Sequence, residues 1–153
     1  MNIYIPVRDF TELDLERVGL LHEHTVHVVC TKPISIESTK TPRIRPEFNS
    51  IKEQKNRILS IGFHHDYFVM LDSDIEFDPV VFKELEDGFK HNYDYGMMCA
   101  PYEENNKHIH SACTIVRGGI IKRVEYSKGC FCSALSRSFV NRGFQAGSTP
   151  LFL

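Results

Sequence analysis

Two carboxylates stand two residues apart in Leu71-Asp72-Ser73-Asp74-Ile75-Glu76, directly after the apolar run Tyr67-Phe68-Val69-Met70-Leu71. Side chains alternate along an extended chain, so Asp72 and Asp74 fall on one side, a few ångströms apart. Like charges that close repel unless a cation lies between them. Hard divalent cations such as Mg²⁺ and Mn²⁺ take oxygen ligands, commonly one or two carboxylates together with substrate phosphates and water. The pattern therefore suits a metal that bridges a diphosphate and offsets charge on a leaving group. The plainer reading makes Asp72 and Asp74 turn residues ahead of a helix cap at Asp78. The fully apolar strand before the pair and the capped helix after it favour the metal.

Other residues able to do chemistry are scattered. Lys55, Asn56 and Arg57 lie on a helical stretch, where Lys55 and Arg57 also read as a solvated face. Glu103 and Glu104 share a polar loop, 101–110, with His108 and His110. These are two of the eight histidines, and a loop histidine is most often simply exposed. His22, His24 and His27 suggest no site. The five cysteines are irregularly spaced and read as reduced intracellular thiols. Cys130-Phe131-Cys132 has no second Cys/His pair at zinc-finger spacing. There is no G-x-G-x-x-G after the first strand, no Walker loop and no G-x-S-x-G.

The 153 residues fit one domain, 1–153, long enough to bury a core without metal or disulfide staples. The net charge of -2 gives no bulk reason to bind nucleic acid or an anionic membrane. With 42% hydrophobic and 25% charged residues, whole-chain disorder is excluded. No apolar run approaches the ~20 residues of a spanning helix. The N-terminal residues do not form a signal peptide, so a cytoplasmic protein is expected.

These groups must be positioned by regular elements. Asn2 to Val7 reads as a buried strand. A short helix with Leu13, Val18, Leu20 and Leu21 inside follows, capped by Thr11 with Asp14 in the third position. Thr25 to Cys30 is β-branched and reads as a second strand, and Thr31 to Pro46 as a long loop. Ser50-Ile51-Lys52-Glu53 is a capping box for a helix that buries Ile51, Ile58 and Leu59 and stops near Gly62. Tyr67 to Leu71 is expected at the centre of the sheet. Asp78-Pro79 caps a helix over Val80 to Glu86. Tyr95 to Ala100 is a further strand. Ala112 to Val116 and Ile120 to Tyr126 flank Arg117-Gly118-Gly119 as a hairpin, and Ser136 to Arg142 is a helix stopped by Gly143. Alternating strands and helices predict an α/β domain with a mainly parallel central sheet and helices on both faces. Ligands of such sheets bind at the carboxyl ends of the strands, which directs attention to Arg8, Thr31, Asp72, Ser73 and Asp74.

Ile5-Pro6-Val7-Arg8, Ile51-Lys52-Glu53-Gln54-Lys55-Asn56-Arg57-Ile58 and Tyr67 through Asp74 resemble, in order and spacing, the nucleotide-sugar glycosyltransferases of GT-A fold. Gly129-Cys130-Phe131-Cys132-Ser133-Ala134-Leu135-Ser136-Arg137 through Gly143-Phe144 looks like their acceptor-side strand and helix. The resemblance runs from Asn2 to about Phe144, and the D-x-D in its context is its most specific element. It implies a transferase, of hexosyltransferase type, that moves a sugar from a nucleoside diphosphate to an unknown acceptor using Mn²⁺ or Mg²⁺. By that resemblance Asp72 and Asp74 handle the metal, with Asp72 also near the ribose and Ser73 between them in the nucleotide-sugar site. Pro6, Val7 and Arg8 would line the base pocket, while Lys55 matches the basic position on the helix and Asn56 its neighbour. Some members take a third metal ligand from a later histidine, which makes His108 and His110 candidates.

Two departures stand out. Cys30-Thr31-Lys32 occupies the place where relatives often have a base-contacting acid. No Asp or Glu follows Glu125, where inverting members keep their general base, which leaves Glu103 and Glu104 as the acid–base candidates. The alternative is a GT-A-like binding or interaction module without its own base, acting as a homo-oligomer or beside a partner chain. A nucleotidyltransferase would need a Gly-rich loop after the first strand, which Arg8-Asp9-Phe10-Thr11 does not supply.

Overall fold

The computed structural model describes residues 1–8, 13–30, 43–46, 51–105, 107–109, 113–120, 136–137 and 139–148. The strands are β1 (Asn2–Val7), β2 (Thr25–Cys30), β3 (Arg43–Pro46), β4 (Phe68–Leu71), β5 (Tyr95–Cys99), β6 (Tyr102–Glu104), β7 (Lys107–Ile109), β8 (Cys113–Val116) and β9 (Gln145–Ser148). The helices are α1 (Leu15–Gly19), α2 (Ile51–Gly62) and α3 (Val80–Lys90). One sheet runs β3-β2-β1-β4-β8-β5-β9, and β6 and β7 form a separate ribbon.

β4 stands in the middle of this sheet, and all four of its residues are buried, as its lack of polar side chains requires. β3, β2, β1 and β4 are mutually parallel, as are β5 and β9. β8 is the exception, antiparallel to both β4 and β5. Alternation along β1 divides the core. Ile3, Ile5 and Val7 face α1 and α3 with Leu21, Phe82, Leu85 and Phe89. Tyr4 faces the other side, with Ile58 and Leu59 of α2, Phe68, Met70 and Phe139. Helices thus cover both faces, as the sequence predicts. No described helix is long and apolar enough to cross a membrane.

Several local expectations need correction. The stretch assigned as a loop ends in β3, an edge strand paired Val28↔Ile44, where Pro46 is tolerated because it terminates the strand. The first helix is capped by Asp14 itself, whose carboxylate accepts from the Arg17 amide at 3.0 Å. Thr11 lies outside the described residues. Asp78 accepts from Val80 N at 3.0 Å, so it satisfies an orphan donor as a cap should, with Pro79 as the boundary residue. The first arm of the expected hairpin is β8, but the chain after it turns into a 3-10 segment, Gly118–Ile120. The expected second arm lies outside the described residues beyond Ile120. Gly118 is there for close approach: a Cβ on it would stand 2.0 Å from Gly62 O and 2.2 Å from His65 O. The loop 101–110 contains the β6–β7 ribbon, turning at Asn105 with φ 50°. β9 was not anticipated. Residues 136–137 and 139–140 are helical, and Gly143 has φ 84°, the left-handed stop expected of it.

Candidate functional site

The chain leaves β1 toward β2 on one side of the sheet, and later enters β4 on the other side of β1. The strand order reverses there, and open α/β sheets bind ligands in the crevice expected at such a switch point, here at the carboxyl ends of β1 and β4. Asp72 follows β4 directly, and Arg8 follows β1. Tyr4 pairs with Met70, which brings Pro6 and Asp72 to the same level of the sheet.

α2 supplies the third wall. Its residues Gln54, Lys55, Ile58 and Leu59 share one buried face, the i, i+1, i+4, i+5 spacing of a helical stripe. Two of those four positions are polar, and both are used. Gln54 is fully buried, and its Nε2 donates to Val7 O at 2.7 Å. Its Oε1 is buried without a hydrogen-bond partner among the described residues. Lys55 is 8% exposed and its Nζ stands 3.3 Å from Asp72 Oδ1. The solvated-face reading therefore fits Arg57, which is exposed, and fails for Lys55. Burial pushes the Asp72 carboxyl above its ordinary pKa, Lys55 pulls it back, and Asp74 pushes it up further.

The loop after Asp72 is anchored from below. Ile75 and Phe77 pack on the core, and the Phe77 ring meets Phe82 edge-on at 5.1 Å. Arg17 Nη1 donates to Ile75 O at 3.1 Å, and its Nη2 stands 3.6 Å from Asp14 and 3.7 Å from Glu76. With Ile75 and Phe77 turned inward, Ser73 is half-buried and Asp74 is exposed beyond Asp72.

The structure thus brings Pro6, Arg8, Lys55, Asn56, Asp72, Ser73 and Asp74 to one end of the sheet. Arg8 is exposed there, whereas the Val7 side chain is sealed in the core and its carbonyl is engaged by Gln54. β5 ends, and β8 begins opposite Leu71, at this same end, so the β6–β7 ribbon between them rises beside the crevice. Glu103 is exposed on that ribbon and pairs in register with His108. The side chains of Glu104 and His108, and all of His110, lie outside the described residues. Cys99 and Cys113 are small buried core side chains.

Sequence reasoning missed Gln54 and Arg17. A signal for Gln54 exists: a polar residue inside the apolar stripe of a helix must find a partner. Arg17 reaches a carbonyl 58 residues away, which no local pattern encodes.

Among the described residues, no group of three His, Cys, Asp or Glu side chains is placed to hold a metal unaided. The donors fit a hard divalent cation completed by phosphate oxygens and water: the ligands are carboxylates, and one of them is half-buried two residues from a like charge.

No protein-family model matches the chain, and no curated protein sequence matches it. Solved structures do. A mannosyltransferase from Pyrobaculum calidifontis, in complex with GDP-Man and Mn²⁺, is similar at TM-score 0.73 and 12% identity, over 97% of this chain and 54% of that one. The 2-C-methyl-D-erythritol 4-phosphate cytidylyltransferase of Thermus thermophilus follows at 0.68 and 7%, over 97% and 87%. A CMP:2-keto-3-deoxy-manno-octonic acid synthetase complexed with CTP matches at 0.59 and 10%, over 96% and 88%. The chain spans about half the length of the mannosyltransferase and most of the two nucleotidyltransferases. The fold is therefore GT-A-like, the nucleotide-diphospho-sugar transferase fold.

Proposed function

We propose that this chain is a cytoplasmic, metal-dependent glycosyltransferase of hexosyltransferase type, built as a single GT-A-like domain over residues 1–153. The observation that carries the reading is the pair of the buried Lys55 with the half-buried Asp72 at the strand-order switch, with the exposed Asp74 two residues on. A lysine drawn into a helix's core face to meet one carboxylate of a D-x-D is poorly explained as a turn. The mannosyltransferase's complex with GDP-Man and Mn²⁺ supports both the donor class and the metal.

In this reading Asp72 and Asp74 hold Mn²⁺ or Mg²⁺, with Ser73 beside them. When bound, the cation offsets the negative charge of the departing diphosphate. Lys55 places a second positive charge at the same end, within reach of phosphate oxygens. Pro6 and Arg8 border the base, Asn56 adds an amide from the same helix, and Val7 acts only through its backbone. Gln54 Oε1, on the same helix, is a buried acceptor without a partner among the described residues. An acceptor hydroxyl oxygen attacks the anomeric carbon as the bond to the diphosphate oxygen breaks. The electron pair leaves with the diphosphate, and the hydroxyl proton passes to a base. Glu103 or Glu104 on the ribbon is the proposed base, and His108 or His110 the proposed additional metal ligand.

The binding-module reading draws on one observation, the lack of any Asp or Glu between Glu125 and Leu153. Incubation with nucleotide sugars and Mn²⁺, scored for nucleoside diphosphate release, separates the two. Turnover lost in Glu103→Gln or Glu104→Gln supports the enzyme. Release from no donor leaves the binding module, and pyrophosphate release from nucleoside triphosphate plus sugar phosphate establishes nucleotidyl transfer.

A further inference from the structure

Arg117 follows β8 and takes no part in the crevice beside Asp72. It is 9% exposed, yet no described carboxylate forms an ion pair with it. Its Nε donates to Tyr95 O at 3.1 Å, and its Nη2 donates to Phe89 O at 2.9 Å and Asn92 O at 3.1 Å. Its guanidinium carbon sits 4.4 Å from the centre of the Phe89 ring and 5.1 Å from that of Tyr93. A guanidinium has five N–H groups. Phe89 O and Asn92 O at the carboxyl end of α3 and Tyr95 O at the start of β5 account for three of them. The two on Nη1 have no partner among the described residues, and Nη1 is not among the sealed polar atoms.

Arg117 lines a cleft of about 640 Å³ together with Tyr67, Tyr93, Lys90, His91 and Asp66. This cleft is at the far end of the sheet from Asp72. Tyr67 precedes β4, Val116 pairs with Phe68, and the four residues of β4 separate Tyr67 from Asp72, so five steps at strand rise put them about 16 Å apart. A buried cation with spare donors, facing open space beside Lys90, is an anion anchor. Because its Nε and Nη2 are already committed to carbonyls, Arg117 cannot offer the two-pronged fork that suits a planar carboxylate. Arg117 Nη1 shares the cleft lining with Lys90 and His91, and three separate donors around one cleft suit a tetrahedral oxyanion instead. Tyr93 is 72% exposed, so its ring offers an apolar wall for the rest of a ligand. Asp66 opposes an anion from the rim, but it is exposed and therefore screened.

We infer that this cleft is a second binding site, for a small phosphomonoester whose phosphate is held by Arg117 Nη1, Lys90 and His91 and whose organic group lies on Tyr93. The site is independent of the proposed sugar transfer.

Calorimetric titration of the full chain with inorganic phosphate, phenyl phosphate and benzoate tests it, without divalent metal and at fixed ionic strength. Removing Arg117 would also uncap α3, so the charge is varied at Lys90 and Asp66. Phenyl phosphate should bind saturably and more tightly than inorganic phosphate or benzoate. Lys90→Gln should weaken it, and Asp66→Asn tighten it, each by about two- to fivefold, the span of a partly exposed charge. Absence of saturable binding overturns the proposal. So does equal affinity of both variants and wild type, or benzoate binding as tightly as phenyl phosphate.

Discussion

Replacing Lys55 with Gln removes one charge and leaves the helix intact, since the two residues have similar helix propensity. At 3.3 Å the pair with Asp72 is worth about 5 kcal/mol of gross Coulomb energy at an effective dielectric of ~20. The side chains are 11% and 30% exposed, which places the pair between a surface bridge of about 0.2–1 kcal/mol and a buried one of about 3–5. We expect Lys55→Gln to lose about 2 kcal/mol at neutral pH, a fall in Tm of about 4–8 °C for a chain this size. The loss should depend on pH with a defined sign. The Asp72 carboxyl sits above its ordinary pKa, so between the unfolded and folded values the folded chain keeps a proton that the unfolded chain has released. Stability falls as pH rises through that window, and without Lys55 the window extends upward. The deficit of Lys55→Gln should therefore be full at neutral pH and shrink on acidification as Asp72 takes a proton. Adding Asp72→Asn should recover most of it. Urea unfolding of wild type, both single variants and the double variant across pH measures this directly. A deficit below about 0.5 kcal/mol, the scatter of ordinary surface changes, or one unchanged by acidification, would refute the reasoning.

Two further outcomes concern the frame around the crevice. Burial and a 2.7 Å hydrogen bond to Glu86 push the Tyr67 hydroxyl up to about 12. Its contribution is complete below the unfolded value of 10.0 and lost as pH rises toward the folded one, so Tyr67→Phe should lessen the loss of stability across that window. Gly118→Ala should cost about 3 kcal/mol, because its Cβ would meet two backbone oxygens at the end of α2, which cannot swing away. Calorimetric melting tests it, and an unchanged Tm would show that α2 and the 3-10 segment separate freely.

The sequence disclosed elements whose signals are local. β1, β2, β4, α2 and α3 stand where apolar runs place them, and the D-x-D sits at a strand end as expected, while Ser50, the expected cap of α2, lies outside the described residues. What escaped depends on pairing across distance. Arg43–Pro46 is too short and too polar to announce itself, and becomes a strand only because β2 offers an open edge. Cys113–Val116 reads equally well as a hairpin arm, and its insertion between β4 and β5 is fixed by sheet register. Lys55 divided between a solvated face, which its residue type suggests, and the site, which its place on the helix suggests. Position predicted better, since the carboxylate waiting at Asp72 compensates for the burial.

The central claim is that Asp72 and Asp74 hold a metal against a nucleoside diphosphate. Calorimetric titration of nucleoside diphosphates into wild type and Asp74→Asn, with and without Mn²⁺, addresses it most directly, because Asp74 is exposed and its replacement leaves the core untouched. We predict that Mn²⁺ tightens diphosphate binding to wild type at least about tenfold, or about 1.4 kcal/mol, and that Asp74→Asn loses most of this gain. Equal affinity with and without Mn²⁺ in both proteins would contradict it.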